Sequence, residues 1–240
     1  MKTILKGLLK IIIFAIIITA VVVGIYIFLE YQEFKEFRNS SEWNERLEKA
    51  RDKENYANFS ELPERYIDAV ISVEDKRYYN HVGLDLKSIG RAIYNNFKKK
   101  DLVEGGSTIT QQLAKNIFYT QDTSVSRKIN EMFAAIELEL EFSKEEIFEM
   151  YVNNAYYGSG YYTLKEAAKG YFNKNLDELD LNQITFLAGV PNAPSIYDPR
   201  ENPDLAKQRQ IQVLKKMVLN KKMTIEERKK IEKQEIKVIE

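Results

Sequence analysis

The sequence has no cysteine. That excludes a disulfide framework, a thiolate metal site and a cysteine nucleophile, and it is compatible with either side of a membrane. Histidine occurs once, at His81, beside a glycine loop where a structural hydrogen-bonding role is the ordinary one. Formal net charge is zero, with 36 Lys and Arg against 36 Asp and Glu. The overall balance is therefore silent about nucleic acid, and no basic-aromatic module is present. Alternating strand patterns are scarce, and there are no internal repeats or low-complexity tracts, which leaves one mainly helical domain.

What is present begins with a long apolar run. Residues 11–29 are almost wholly apolar and uncharged. At about 1.5 Å per residue they span roughly 28 Å, close to one bilayer core. Lys2, Lys6 and Lys10 precede the run, so it reads as an anchor with residues 1–10 as a cytoplasmic basic tail and the remainder extracytoplasmic. A cleaved signal peptide is the alternative, but the run is long for one and no small-residue cleavage site closes it. Residues 30–58 carry charge of both signs with Phe34, Phe37 and Trp43 among them. They read as a helical stalk or linker near the bilayer, or as a helix whose aromatics pack on the main domain. Residues 59–240 form the domain proper, and 44% hydrophobic residues in 240 is enough for one or two cores.

Helical signals run nearly throughout that domain. Leu62, Tyr66, Ala69, Val70 and Val73 recur at helical spacing after Pro63. Asp85 caps a helix with an apolar stripe of Leu86, Ile89, Ile93 and Phe97. Ser107 or Thr108 opens the next, and Val125, Ile129, Met132, Phe133, Ile136 and Leu140 form a long stripe. Ser143 with Glu146, Thr163 with Glu166, Asp180 with Gln183 and Thr224 with Glu227 are capping boxes. Leu205, Ile211, Leu214 and Val218 mark a further helix.

Three constellations carry chemistry. In the first, Glu74 falls at the edge of the apolar helix face while Asp75 points away from it, just before His81 and Gly83. A carboxylate half-sunk at a helix end loses solvation, which suits a general acid or base. Taken alone, the pair reads better as solvated residues in a last turn, followed by a Gly83 loop. In the second, Gly105 and Gly106 lead into a helix whose free N–H groups favour a phosphate. There Thr108, Gln111, Gln112 and Lys115 make one polar face, opposite Ile109, Leu113 and Ile117; an ordinary amphipathic surface helix fits the same spacing. In the third, Arg127 and Lys128 can neutralise an anionic leaving group and Glu131 is a second candidate carboxylate. The bland alternative is a charged helix start. The tyrosine-rich run 156–162 can stack on sugars or form a packed turn.

Taken together these stretches closely resemble the peptidoglycan glycosyltransferase family, which includes monofunctional transglycosylases and the transglycosylase module of class A penicillin-binding proteins. The matching residues are Glu74-Asp75 through His81-Val82-Gly83, Gly106 through Asn116, and Arg127-Lys128 with Glu131. Lys144 through Tyr151, Asn153, Gly158, Gly160, Ala167-Ala168 and Tyr171-Phe172 follow, then Leu187-Ala188-Gly189 with Pro191, Pro194 and Pro199. The resemblance implies a mainly α fold, a lysozyme-like helical lobe plus a smaller membrane-associated lobe, with one N-terminal transmembrane helix. It implies polymerisation of lipid II into glycan strands by inverting transfer from a lipid-pyrophosphate donor to the 4-hydroxyl of the acceptor sugar. By position, Glu74 and Glu131 match the catalytic glutamates. Ser107, Thr108, Gln111, Gln112, Lys115, Arg127 and Lys128 match substrate and pyrophosphate contacts. Asp75, His81, Gly83 and Asn153 match structural motif positions. A divalent cation, magnesium or manganese, is implied by the family alone. The implied partners are lipid II, the growing lipid-linked strand, the membrane and other cell-wall synthesis proteins, with no nucleic acid.

Some positions depart from the pattern. Tyr78 stands where the family usually has Phe, Thr163 replaces a usual Gly, and Thr123 and Asn130 stand where related sequences often carry basic residues. The last two weaken the expected pyrophosphate clamp and are the support for a weakly active or inactive scaffold. A lysozyme-like hydrolase is the enzymatic alternative, since paired carboxylates serve both chemistries. No Ser-x-x-Lys or Lys-Thr-Gly occurs, so the transpeptidase signature is missing. The chain reads as a monofunctional enzyme or a transglycosylase module.

Overall fold

The structure is a computed structural model that describes residues 2–99, 105–119 and 124–239. The first helix, α1 (Lys2–Arg38), runs without a break from the apolar stretch into the charged one, and residues 11–29 are exposed along their whole length. It is long and apolar enough to cross a bilayer. After α2 (Ser41–Arg51) come α3 (Glu64–Glu74), α4 (Leu86–Lys99), α5 (Ile109–Phe118), α6 (Val125–Glu141) and α7 (Lys144–Asn154). The chain closes with α8 (Leu164–Phe172), α9 (Leu181–Leu187), α10 (Pro203–Leu219) and α11 (Ile225–Glu232). Among the described residues no strand pairs into a sheet, so the fold is all helical, as the scarcity of alternating patterns implies. The four capping boxes sit where the spacing puts them, at the starts of α7, α8, α9 and α11. Thr163 is the cap of α8, so the expected turn glycine has no role there.

The expected linker is a packed segment. Trp43 of α2 is fully buried and stacks on Phe118 of α5, with ring centres 3.9 Å apart, while Phe34 and Phe37 of α1 meet Trp43 edge to face. Glu30, the first charge after the apolar run, is also buried; its carboxylate accepts from Ser126 Oγ and Asn130 Nδ2, both at 2.7 Å. The aromatics in 30–58 therefore secure α1 to α5 and α6, which is the second of the two readings left open. Burial of apolar surface decides it, because these rings have nowhere to go but onto Phe118 and Phe133.

Two apolar stripes stay largely out of the core, Phe133 of α6 apart. On α4, Leu86, Ile93 and Phe97 are exposed, and Ala92 is the residue turned inward. On α6 the buried face is Asn130, Glu131, Ala134, Ala135 and Leu138, whereas Val125 and Leu140 are exposed. Small residues win that face because α5 and Gly83 approach it closely: a Cβ on Gly83 would lie 2.7 Å from the Ala135 carbonyl oxygen, and its φ is +73°.

The start of α4 is held by Asp85. Its carboxylate accepts from Ser88 N (3.0 Å) and Ser88 Oγ (2.6 Å) and pairs with Arg77, whose Nε lies 2.9 Å away. Burial alone would raise the Asp85 carboxyl, but the hydrogen bonds from Arg77 and Ser88 outweigh it and hold it well below the usual carboxylate range. A depressed folded value contributes stability that is present above the unfolded value and lost as pH falls through the folded one. Asp85→Asn is expected to cost about 2 kcal/mol at pH 7. The gap in melting temperature to the unmodified protein should narrow as pH drops below about 4. An unchanged gap between pH 7 and pH 3 would remove the ion pair as its source.

Candidate active site

The site forms where α3 ends. Glu74 is its last residue, and Asp75 leaves the helical path at φ −151°. That turn changes the fate of Asp75. Helical extrapolation points it away from the core, yet it is 5% exposed, because its carboxylate accepts from His81 Nε2 (2.9 Å) and from the backbone N–H of Ile109 (3.1 Å). His81 thus acts on Asp75, and Asp75 fastens the end of α3 to the first turn of α5. Thr108 caps α5, accepting from Gln111 N and donating to the Gly83 carbonyl at 2.6 Å. The expected phosphate site at this helix start is accordingly filled: the Ile109 and Gln111 N–H groups are bound to the chain's own oxygens. Nor is α5 a surface helix, since Thr108 and Gln111 on its polar side are as buried as Ile109 and Leu113.

Further along α5, Gln112 Nε2 donates to Glu74 Oε2 at 2.9 Å. The Gln112 oxygen accepts from Tyr151 Oη at 3.3 Å. Burial, and then the nearby Glu74 carboxylate, push the Tyr151 hydroxyl well above its ordinary value, so it keeps the proton that it donates to Gln112. The Glu74 carboxylate, which only accepts, decides that the Gln112 NH2 faces it and the Gln112 oxygen faces Tyr151. The other Glu74 oxygen, Oε1, lies 2.6 Å from Arg209 Nη2. Glu74 is therefore not a carboxylate half-sunk in apolar surroundings, as its helix position suggests. It is a nearly buried one, 8% exposed, held between a guanidinium and an amide.

These groups open onto a cleft of about 1040 Å³, lined among others by Glu74, Lys76, Ser107, Gln112, Lys115 and Arg209. A smaller cavity of about 380 Å³ adjoins it, sharing Gln112, Lys115 and Asn192. The third constellation lies behind this wall. Glu131 is 2% exposed; its Oε2 is 2.5 Å from Arg127 Nη1, its Oε1 meets Lys128 Nζ, and Gln111 Nε2 stands at 3.5 Å. Lys128 also donates to Ser107 Oγ at 2.9 Å, which links this cluster to the cleft rim. Asn153 is elsewhere: its side-chain amide binds both the N–H and the carbonyl of Ala57, clamping the segment before α3 to α7.

The departures from the motif acquire partners. Asn130 faces α1 and holds Glu30, so its change of type does not remove charge from the cleft. Tyr78 donates its hydroxyl to the Lys144 carbonyl at 2.6 Å, a bond that phenylalanine lacks. Thr123 lies outside the described residues. Arg209 is the functional candidate that sequence reasoning missed. A signal existed: α10 buries Ala206, Val213, Leu214 and Met217, with Arg209 and Gln210 on the same face. An arginine in a core register needs a buried partner.

Residues 41–218 match the family model described as transglycosylase. The chain belongs to the transglycosylase family. It is 47% identical to penicillin-binding protein 1F of Bacillus subtilis over 155 residues, 65% of this chain and 22% of that protein. Penicillin-binding protein 1A of Aquifex aeolicus is 43% identical over 163 residues, 68% of this chain and 22% of its own length. The chain thus spans about a fifth of these relatives. The crystal structure of penicillin-binding protein 1A from Haemophilus influenzae aligns with 77% of this chain and 18% of its own at 21% identity and a TM-score of 0.46.

The family-implied divalent cation can be tested against the transglycosylase side chains. Among the described residues no group of three or more His, Asp and Glu is arranged to hold a metal. Glu131 already has cations on both oxygens, and Asp75 and Asp85 are spent on His81, Ile109 N, Arg77 and Ser88. The described residues do not fit a protein-held cation.

Proposed function

We propose that this transglycosylase polymerises lipid II into peptidoglycan glycan strands. The reading is carried by one arrangement: an anchored carboxylate, Glu74, and a cation one helical turn beyond its partner Gln112, Lys115, border the same large polar cleft. In the proposed step a Glu74 oxygen takes the proton of the acceptor 4-hydroxyl. The hydroxyl oxygen bonds to the donor's anomeric carbon as the bond from that carbon to the lipid pyrophosphate breaks, with inversion. Negative charge grows on the departing pyrophosphate, and fixed cations stabilise that charge more than they stabilise the ground state. Of the three cations expected at the pyrophosphate, Lys115 borders the cleft directly, with Lys128 at its rim through Ser107. Arg127 and Glu131 act behind them, Glu131 as the counter-ion that sets Arg127 and Lys128 in place.

A membrane-borne substrate gives the anchor helix its purpose. The three lysines ahead of the apolar run favour a cytoplasmic N-terminus and an extracytoplasmic domain. The exposed Leu86, Ile93 and Phe97 of α4 suit contact with the bilayer. Transfer is favoured over glycan hydrolysis because a glycosidase needs two available carboxylates flanking the bond. Among the described acidic residues bordering the cleft, Asp85 has both oxygens filled by Arg77 and Ser88 and Asp75 is filled by His81 and Ile109 N, whereas Glu74 has one partner on each oxygen and an acceptor direction to spare.

The test is incubation of the detergent-solubilised protein with labelled lipid II, followed by separation of products by length. Lipid-linked polymer is the expected product. Shortened sacculi without polymer would replace this reading with hydrolysis, and a folded protein giving neither would replace it with a scaffold role.

A further inference from the structure

The cleft contains a guanidinium that the step just described does not use. Arg209 sits in mid-α10 with its side chain 11% exposed. Its Nε donates to the Gly189 carbonyl at 3.1 Å, and Nη1 donates to Gln212 Oε1 at 3.1 Å. The guanidinium carbon stands 5.8 Å from the centre of the Tyr197 ring. These contacts fix the plane of the fork from the end of α9, from its own helix and from an aromatic face, independently of Glu74. Nη2 is then the donor left pointing at Glu74 Oε1, 2.6 Å away. The arginine is held by the frame, and the glutamate is held by the arginine.

On its other oxygen Glu74 is held by Gln112, itself turned by Tyr151. Each carboxylate oxygen has two acceptor directions, and one on each is now used. A sugar hydroxyl can donate to a remaining direction with neither bond broken. A free glutamate at a helix end would instead sample several rotamers, and only some aim an oxygen at the acceptor.

We infer that Arg209 is a positioning residue: it locks the Glu74 side chain in the orientation that receives the acceptor proton. The inference rests on Glu74 as the base. Charge alone does not do this work. A lysine ammonium is a compact point charge on a flexible stem and cannot span Gly189, Gln212 and Glu74 in one plane.

The experiment compares kcat and KM for lipid II polymerisation by the full chain in detergent, for Arg209→Ala, Arg209→Lys, Glu74→Gln and the Arg209→Ala/Glu74→Gln double variant. Thermal unfolding of each is followed alongside. The expected result is a fall in kcat of about 100-fold for Arg209→Ala, the scale of a misaimed catalytic group, with KM changed less than about twofold. Arg209→Lys should recover a minor part of kcat, and millimolar guanidinium ion should raise the rate of Arg209→Ala. The double variant should be no slower than Glu74→Gln, because the arginine acts through the glutamate. A raised KM with kcat intact would overturn the inference and make Arg209 a substrate ligand. Multiplying losses in the double variant, or an Arg209→Ala enzyme of unchanged kcat, would also overturn it. If Arg209→Ala does not fold, Arg209→Lys carries the same kcat-against-KM comparison. Wild-type turnover by Glu74→Gln would remove the base itself, whereas an inactive Glu74→Gln beside a fully active Arg209→Ala removes only the positioning role.

Discussion

Glu74→Gln is expected to slow lipid II polymerisation about 10³-fold, near the middle of the range for a lost general base. The substitution keeps the side chain's size, so the nearly buried site stays filled. Its amide oxygen still accepts from one neighbour, but the new NH2 faces the other donor, either Arg209 Nη2 or Gln112 Nε2. The structural cost is one unmade bond in a polar site, about 1–2 kcal/mol. That is far less than global stability, so a folded but nearly inactive enzyme is the outcome. Measured as product length and initial rate with labelled lipid II, comparable rates for the variant and the unmodified protein would remove Glu74 from the proton transfer. Glu74→Asp, which keeps the charge but draws the carboxylate back from Arg209 and Gln112, should fall between the two.

The second large effect is on stability. Glu131→Ala takes away the anion between Arg127 and Lys128 and leaves Gln111 Nε2 facing empty space. Arg127 is only 16% exposed, so its charge is not readily rescued by solvent. Breaking a buried pair by removing one partner costs about 3–5 kcal/mol, and for a domain of this size that lowers the melting temperature by roughly 10 °C. Activity should fall with it, since Lys128 loses the contact that sets it against Ser107. Thermal denaturation of the purified variant is the check. A melting temperature within about 2 °C of the unmodified protein, together with lost polymerisation, would make Glu131 a participant in the reaction and not a counter-ion.

Local patterns in the chain were legible wherever the physics is local. A capping box needs only four residues, and each of the four read from spacing caps a helix in the structure. The apolar run needs only length and composition. Five ordered motifs needed only their order, and they led to the family that residues 41–218 match. Periodicity failed where a helix's environment, not its pattern, decides which face is inside. On α6 the large apolar residues other than Leu138 point outward or sideways, because the inward face must admit the backbone of Gly83 and carries Glu131 and Asn130 for polar partners on other elements. On α4, Leu86, Ile93 and Phe97 of the stripe have none of the described residues covering them.

The candidate site divides along the same line. The sequence by itself determined that this is a helical transglycosylase family member with a run long and apolar enough to cross a bilayer, and it singled out Glu74, Gln112 and Lys115. Tertiary structure alone decided that Asp75 turns inward to bind His81 and Ile109 N, that Glu131 stands behind the cleft wall, and that Arg209, 135 residues away in the chain, closes on Glu74. The reason is that a buried charge takes its meaning from its partner, and partners brought together by helix packing leave no mark at any fixed spacing along the chain.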